Sequence, residues 1–119
     1  QFWRPYCHIN DLSSAMLAVL NAADNITAYN VFNVGDTSQN FTKKMIVDEI
    51  LKQVPDGSVK YVYREEDPRN YRVSFDKIKK ELGFRISKTV PEGIEDILMA
   101  IQTGVIKNPN HQNYYNIPV

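Results

Sequence analysis

Apolar residues recur along this chain at helical spacing in four places and cluster as short extended runs in three others. Leu12, Ala15, Met16, Val19, Leu20 and Ala23 stand at i, i+3, i+4, i+7, i+8 and i+11, which lays one apolar stripe along a helix. Asn10 is placed to cap that helix, and Asp24-Asn25 to end it. A second helix is expected from about Thr42 to Val54, with Ile46, Ile50, Leu51 and Val54 on one face and Pro55-Asp56-Gly57 as the break. Phe75, Ile78 and Leu82 share a face of a short helix, capped by Ser74 and closed by Gly83, a residue that accepts a left-handed backbone. The last helix carries Ile94, Ile97, Leu98, Ile101 and Val105. It follows Thr89-Val90-Pro91-Glu92, whose Thr-to-Glu spacing is that of a capping box, and Gly104 is positioned to loosen or end it. The extended runs are Gln1–Ile9, Tyr29–Val34 (closed by Gly35-Asp36) and Val59–Tyr63. The polar tail 107–119 is expected to be irregular. The order strand, helix, strand, helix, strand, short helix, helix predicts a small α/β or α+β unit, with too few strands for a complete nucleotide-binding sheet.

Composition then narrows the function classes. A length of 119 residues suits one domain, 1–119, and not two. Lys+Arg and Asp+Glu balance at 14 each, so no global field recruits nucleic acid or an anionic membrane as a partner. Anion binding has to come from locally placed arginines. The single Cys7 excludes an internal disulfide and a cysteine-rich zinc site, no metal is expected, and a reducing, cytoplasmic setting fits. No apolar run approaches the roughly 20 residues that span a bilayer. The chain opens on Gln1 rather than Met, which reads as a piece of a longer protein.

The richest chemistry lies in the loop between the third extended run and the short helix. Arg64-Glu65-Glu66-Asp67-Pro68-Arg69-Asn70-Tyr71-Arg72 packs three arginines, three carboxylates and a tyrosine into nine residues. A loop of that kind, held at both ends by regular structure, is suited to a phosphorylated ligand, because arginine presents a planar fork to phosphate oxygens.

Four motifs occur here in a recognisable order: Arg4-Pro5-Tyr6-Cys7-His8-Ile9-Asn10-Asp11-Leu12, Asn33-Val34-Gly35, the Arg64 to Tyr71 loop, and the Lys77 to Phe84 helix end. Together they resemble the carboxyl-terminal third of the extended short-chain dehydrogenase/reductase family, the NAD(P)-dependent nucleotide-sugar epimerases and dehydratases. The first motif is similar to the Arg-Asp-Tyr-Ile-His-Val-x-Asp-Leu signature of the UDP-galactose 4-epimerases. The resemblance implies the substrate-binding lobe of such an enzyme, with the Rossmann domain absent. In the full-length protein that amino-terminal domain would bind NAD or NADP, and the whole would be a cytoplasmic homodimer acting on a nucleotide-diphosphate sugar. The chain's glycines (35, 57, 83, 93 and 104) form no dinucleotide loop, and none of its tyrosines is followed four residues later by lysine. On its own, then, the chain is expected to be inactive, with no catalytic residue. A stand-alone, non-catalytic binding or interaction module derived from that lobe is the alternative.

Residue by residue, the resemblance assigns Arg4 and Arg64 to the substrate diphosphate, Asp67 to the ribose, and Tyr71 and Arg69 to the neighbourhood of the sugar diphosphate. Structural roles stand beside each: surface ion pairs for Arg4 and Arg64, a turn before Pro68 for Asp67, a buried ring for Tyr71 and a solvated charge for Arg69. Cys7 and His8 are adjacent, so a strand would point them to opposite faces. With the family strand in the interior, Cys7 reads as a small hydrophobe and His8 as a hydrogen-bonded core or interface residue, while Asp11 reads as a helix starter. Pro5 departs from the acidic residue common in the epimerase motif, and Asp67-Pro68-Arg69 is also similar to the UDP-glucuronate decarboxylases. The reaction therefore stays open among epimerase, dehydratase and decarboxylase.

Overall fold

A computed structural model describes residues 2–62 and 69–114. Their regular structure is β1 (Trp3–Pro5), α1 (Ile9–Asn21), α2 (Asp24–Thr27), β2 (Asn40–Thr42), α3 (Lys43–Gln53), α4 (Asp76–Leu82) and α5 (Val90–Gln102), with 3-10 turns at Thr37–Gln39 and Gln112–Tyr114. This is a small mixed α/β unit, rich in helix, whose two strands pair antiparallel.

The helices follow the apolar spacing, with small shifts at their ends. α1 starts at Ile9, so Asn10 is inside it. The N-cap is His8, whose Nδ1 accepts from the Asn10 amide at 3.2 Å. Asp24-Asn25 open α2 rather than ending α1, which stops at Asn21. Thr42 caps α3, accepting from the Met45 amide at 3.3 Å. Before α4, the Ser74 hydroxyl accepts from the Asp76 amide at 3.3 Å from one residue outside the N-cap position, and Gly83 ends the helix at φ +62°. At α5 the Glu92 carboxylate accepts from the Thr89 amide at 2.7 Å and hydroxyl at 2.6 Å, closing the capping box. Gly104, at φ +73°, follows its last turn.

Strands are where sequence and structure part. Tyr29–Val34 is not a strand, although Phe32 and Val34 pack on the core while Val31 faces solvent. The alternation is present, but no neighbouring strand among the described residues takes its hydrogen bonds, and Tyr29 enters it at φ +59°. Residues 59–62 likewise form no strand with another described segment, and Tyr63 lies outside the described residues. The partner of β1 is instead β2, in the register Trp3 to Thr42, Arg4 to Phe41 and Pro5 to Asn40. β2 is wholly buried despite holding a single apolar residue. The Asn40 side chain acts as a further piece of ladder: its Nδ2 donates to the Val73 carbonyl at 2.9 Å and its Oδ1 accepts from the Val73 amide at 2.9 Å.

Ala15, Phe75, Ile78 and Phe84 form the core, with Phe32, Val34, Val73, Leu82 and Ile86 packed around it. Gly35 lies against it at φ +147°, where a Cβ would come within 2.9 Å of the Phe75 ring. Asp11, expected only to start a helix, is buried at 1 % exposure. Its carboxylate accepts from the Ser87 amide at 2.6 Å, the Ser87 hydroxyl at 2.7 Å and the Lys88 amide at 3.2 Å. That joins the first turn of α1 to the segment leading into α5.

Much of the apolar stripe of α1 is uncovered. Met16, Leu17 and Leu20 are exposed, as is Val31 beside them, and a groove of about 600 Å³ runs between α1 and residues 30–34. The chain exposes 9466 Å², against about 6,600 Å² for a compact monomer of this mass.

Replacing Asp11 with alanine leaves two part-buried amides without their acceptor, and is expected to cost about 3 kcal/mol in urea unfolding. An unchanged midpoint would show that the brace carries no stability. Hydrogen bonds from Thr89 hold the Glu92 carboxyl below its ordinary value, and those from Ser38 do the same for Asp36. Stability from depressed carboxyls is present above their unfolded pKa and is lost as pH falls through the folded one. Thermal midpoints should therefore drop as pH goes below about 4, and Glu92→Gln should flatten that acid slope.

Candidate functional site

The strip of chain beside β1 gathers the residues with ligand chemistry. Trp3 donates its amide to Asn70 Oδ1 at 3.0 Å, and Val73 is held by Asn40, so residues 70–73 are laid along the strand. Alternation then sorts the side chains. The Arg4 guanidinium lies over the Tyr71 ring, 5.1 Å from its centroid, and Arg4 Nη1 donates to the Trp3 carbonyl at 2.7 Å. Arg72 lies over the Trp3 ring at 4.8 Å. Two cations and two aromatic rings thus interleave across the first strand, each stack worth about 0.5–1 kcal/mol where exposed.

Of the residues singled out from sequence, Arg4 and Tyr71 meet here, and Arg69 is exposed two positions before Tyr71. Arg64 and Asp67 lie outside the described residues. Tyr71 is not a buried ring; it is 44 % exposed. Trp3, Asn70 and Arg72 were not picked out for this site. Trp3 and Arg72 carry the residue types of a stacked pair, but nothing in the sequence joins positions 69 apart.

A second cluster lies around the start of α1. Tyr6, Cys7, His8, Ile46, Lys88 and Ile97 help line a cavity of about 230 Å³. Cys7 is exposed rather than a packed hydrophobe, and it lines the same cavity as His8, because both lie beyond the end of β1 where strand alternation no longer applies. The residue as a whole is open to solvent, yet the cavity wall desolvates its sulfur and, with the Asp11 carboxylate, pushes the thiol up. It is thus a poor nucleophile at neutral pH. His8 is half-buried, as a hydrogen-bonded residue, with Nε2 3.8 Å from Asp96. Asp96 also holds Lys88 at 3.0 Å, and that hydrogen bond raises the lysine's pKa.

Among the described residues, no group of three or more His, Cys, Asp or Glu is placed to hold a metal ion. Nor is any helix among them long and apolar enough to cross a membrane. Compared with known proteins, the chain matches no family model, and no solved structure matches it significantly.

Trp3 is the chain's single tryptophan, which makes the stack directly observable. Arg72→Ala should uncover the indole and move its emission to longer wavelength. Lys77→Ala, which removes a cation over Phe32, should leave the emission where it was. An unmoved spectrum in the first variant would rule the stack out in solution.

Proposed function

We propose that this chain is the substrate-binding part of an NAD(P)-dependent nucleotide-sugar epimerase or dehydratase, and that it grips the diphosphate of a nucleotide-diphosphate sugar. The observation that carries this reading is the meeting of Arg4 and Tyr71. Their residue types, and the motifs they sit in, pointed to one ligand, and they stand 5.1 Å apart after 67 residues of chain. A guanidinium backed by an aromatic ring has fewer orientations to lose when it binds a phosphate, so its charge-assisted hydrogen bonds come at a smaller entropy cost. Arg64 would supply the second grip and Asp67 would accept from the ribose. Both lie outside the described residues. Arg69 would approach the sugar end.

The chain's own residues do not fit a dinucleotide, since the glycines at 35, 57, 83, 93 and 104 make no phosphate loop. NAD or NADP would belong to a Rossmann domain supplied elsewhere, along with the proton-transferring residues. The uncovered stripe of α1, with Met16, Leu17 and Leu20 exposed, favours such a partner domain over a stand-alone module, because contiguous apolar surface of that kind is what an interface removes from water. On this reading the complete protein works in the cytoplasm as a homodimer, and this chain alone turns over nothing.

Calorimetric titration with UDP, dTDP, GDP and CDP tests the reading. The expected result is weak binding of one of them by the wild-type chain, lost in Arg4→Ala and in Arg64→Ala. Binding that survives both substitutions would overturn the diphosphate grip.

A further inference from the structure

The outer edge of β1 offers the strip at residues 70–73 a single place to dock. Backbone amides alternate in direction along a strand. The Trp3 amide bonds Asn70 rather than β2, so it faces outward. Two positions on, the residue of like direction is Pro5, which has no N–H. Within β1 the outer edge therefore holds one donor, and the Asn70 side chain takes it at 3.0 Å. The carbonyl of the same Trp3 is taken by Arg4 Nη1 at 2.7 Å. At the other end of the strip, Asn40 holds both backbone groups of Val73 at 2.9 Å. Between these two pins stand Tyr71 and Arg72, the residues stacked with Arg4 and Trp3. A slip of one residue would bring Arg72 to the station of Tyr71 and set cation against cation.

We infer that Asn70 is a positioning residue: its side-chain oxygen fixes the register of the strip on β1 and so keeps the Tyr71 ring under the Arg4 guanidinium. This rests on the diphosphate reading and deepens it. Asn70 acts through Tyr71 and Arg4, not on the ligand. A guanidinium already held in place loses fewer orientations when it binds a phosphate. Once the strip is released, only the fraction of molecules with the stack formed is ready to bind, and the affinity falls by that fraction. Asn70 is exposed and stands outside the core cluster, so its role is separable from folding. Asn40 is buried and braces Val73, which packs on the core, so it offers no such separation.

The test follows the Arg4 side chain by NMR and titrates each chain with pyrophosphate, a probe that carries the diphosphate and no base. Tyr71→Leu supplies the Arg4 signals without an aromatic ring beneath them, and circular dichroism checks the fold of each variant. In the wild-type chain the ring current of Tyr71 should displace the Arg4 signals from that reference. Asn70→Ala should collapse the displacement and weaken pyrophosphate about fivefold, the worth of one hydrogen bond. Asn70→Asp keeps the acceptor oxygen and should keep the displacement. A displacement missing from the wild-type chain, or one that survives Asn70→Ala, would overturn the positioning role. So would a displacement lost equally in Asn70→Asp, or one that collapses in Asn70→Ala with the pyrophosphate affinity unchanged. In all these cases the diphosphate grip still stands where the wild-type chain binds pyrophosphate and Arg4→Ala does not. A wild-type chain that fails to bind pyrophosphate, or binding that survives Arg4→Ala, overturns the grip and the positioning role with it.

Discussion

The Asp11 carboxylate holds together parts of the molecule that otherwise have little to join them. It sits in the first turn of α1, is almost fully removed from solvent, and accepts three hydrogen bonds from Ser87 and Lys88. Without it, the segment that carries the chain into α5 would have to find other acceptors in a part-buried place. A buried carboxylate is stabilising only when its lone pairs are all answered, and here neutral donors answer them at short range. The same device recurs. Gln39 accepts from the Val90 amide at 2.8 Å, Gln53 donates to the Pro91 carbonyl at 2.9 Å, and Asn40 pairs with both backbone groups of Val73. Side-chain amides and carboxylates thus tie α1, α3 and the 3-10 turn before β2 to the start of α5, and β2 to the segment before α4.

These polar ties matter because the apolar core is small. Ala15, Phe75, Ile78 and Phe84 are its buried members, and neither α3 nor α5 contributes a buried residue. At roughly 25 cal/mol per Å², each half-exposed leucine or isoleucine on α1 and α5 contributes much less than its burial would. The stripe along Met16 and Leu20, continued by Val31, stays uncovered. A surface of that character is stable in water when something covers it, and the proposed Rossmann partner would do so.

Charge is distributed with the same economy of means. The chain is neutral overall, yet along β1 two guanidinium groups each lie over an aromatic ring, Arg4 over Tyr71 and Arg72 over Trp3. An aromatic face attracts a guanidinium through its quadrupole and holds the group in place.

The amino-acid sequence by itself determined α1, α3, α4 and α5, their apolar faces, the Thr89–Glu92 capping box and the left-handed stop at Gly83. Each depends on residues within about four positions of one another, so local spacing is enough. It also singled out Arg4 and Tyr71 by residue type and motif. Strands escaped it, because a strand exists only when a neighbour takes its backbone hydrogen bonds. Tyr29–Val34 has the alternation and finds no neighbouring strand among the described residues, whereas Asn40–Thr42 has almost no pattern and is paired by β1. Tertiary structure alone decided that Asp11, an acid in the first turn of its helix, is also a buried brace, that Cys7 and His8 share a cavity, and that Arg72 joins the site by stacking on Trp3. Those partners lie far apart in the chain or past the end of a strand, and only the closed fold fixes the distances over which their hydrogen bonds and ring contacts act.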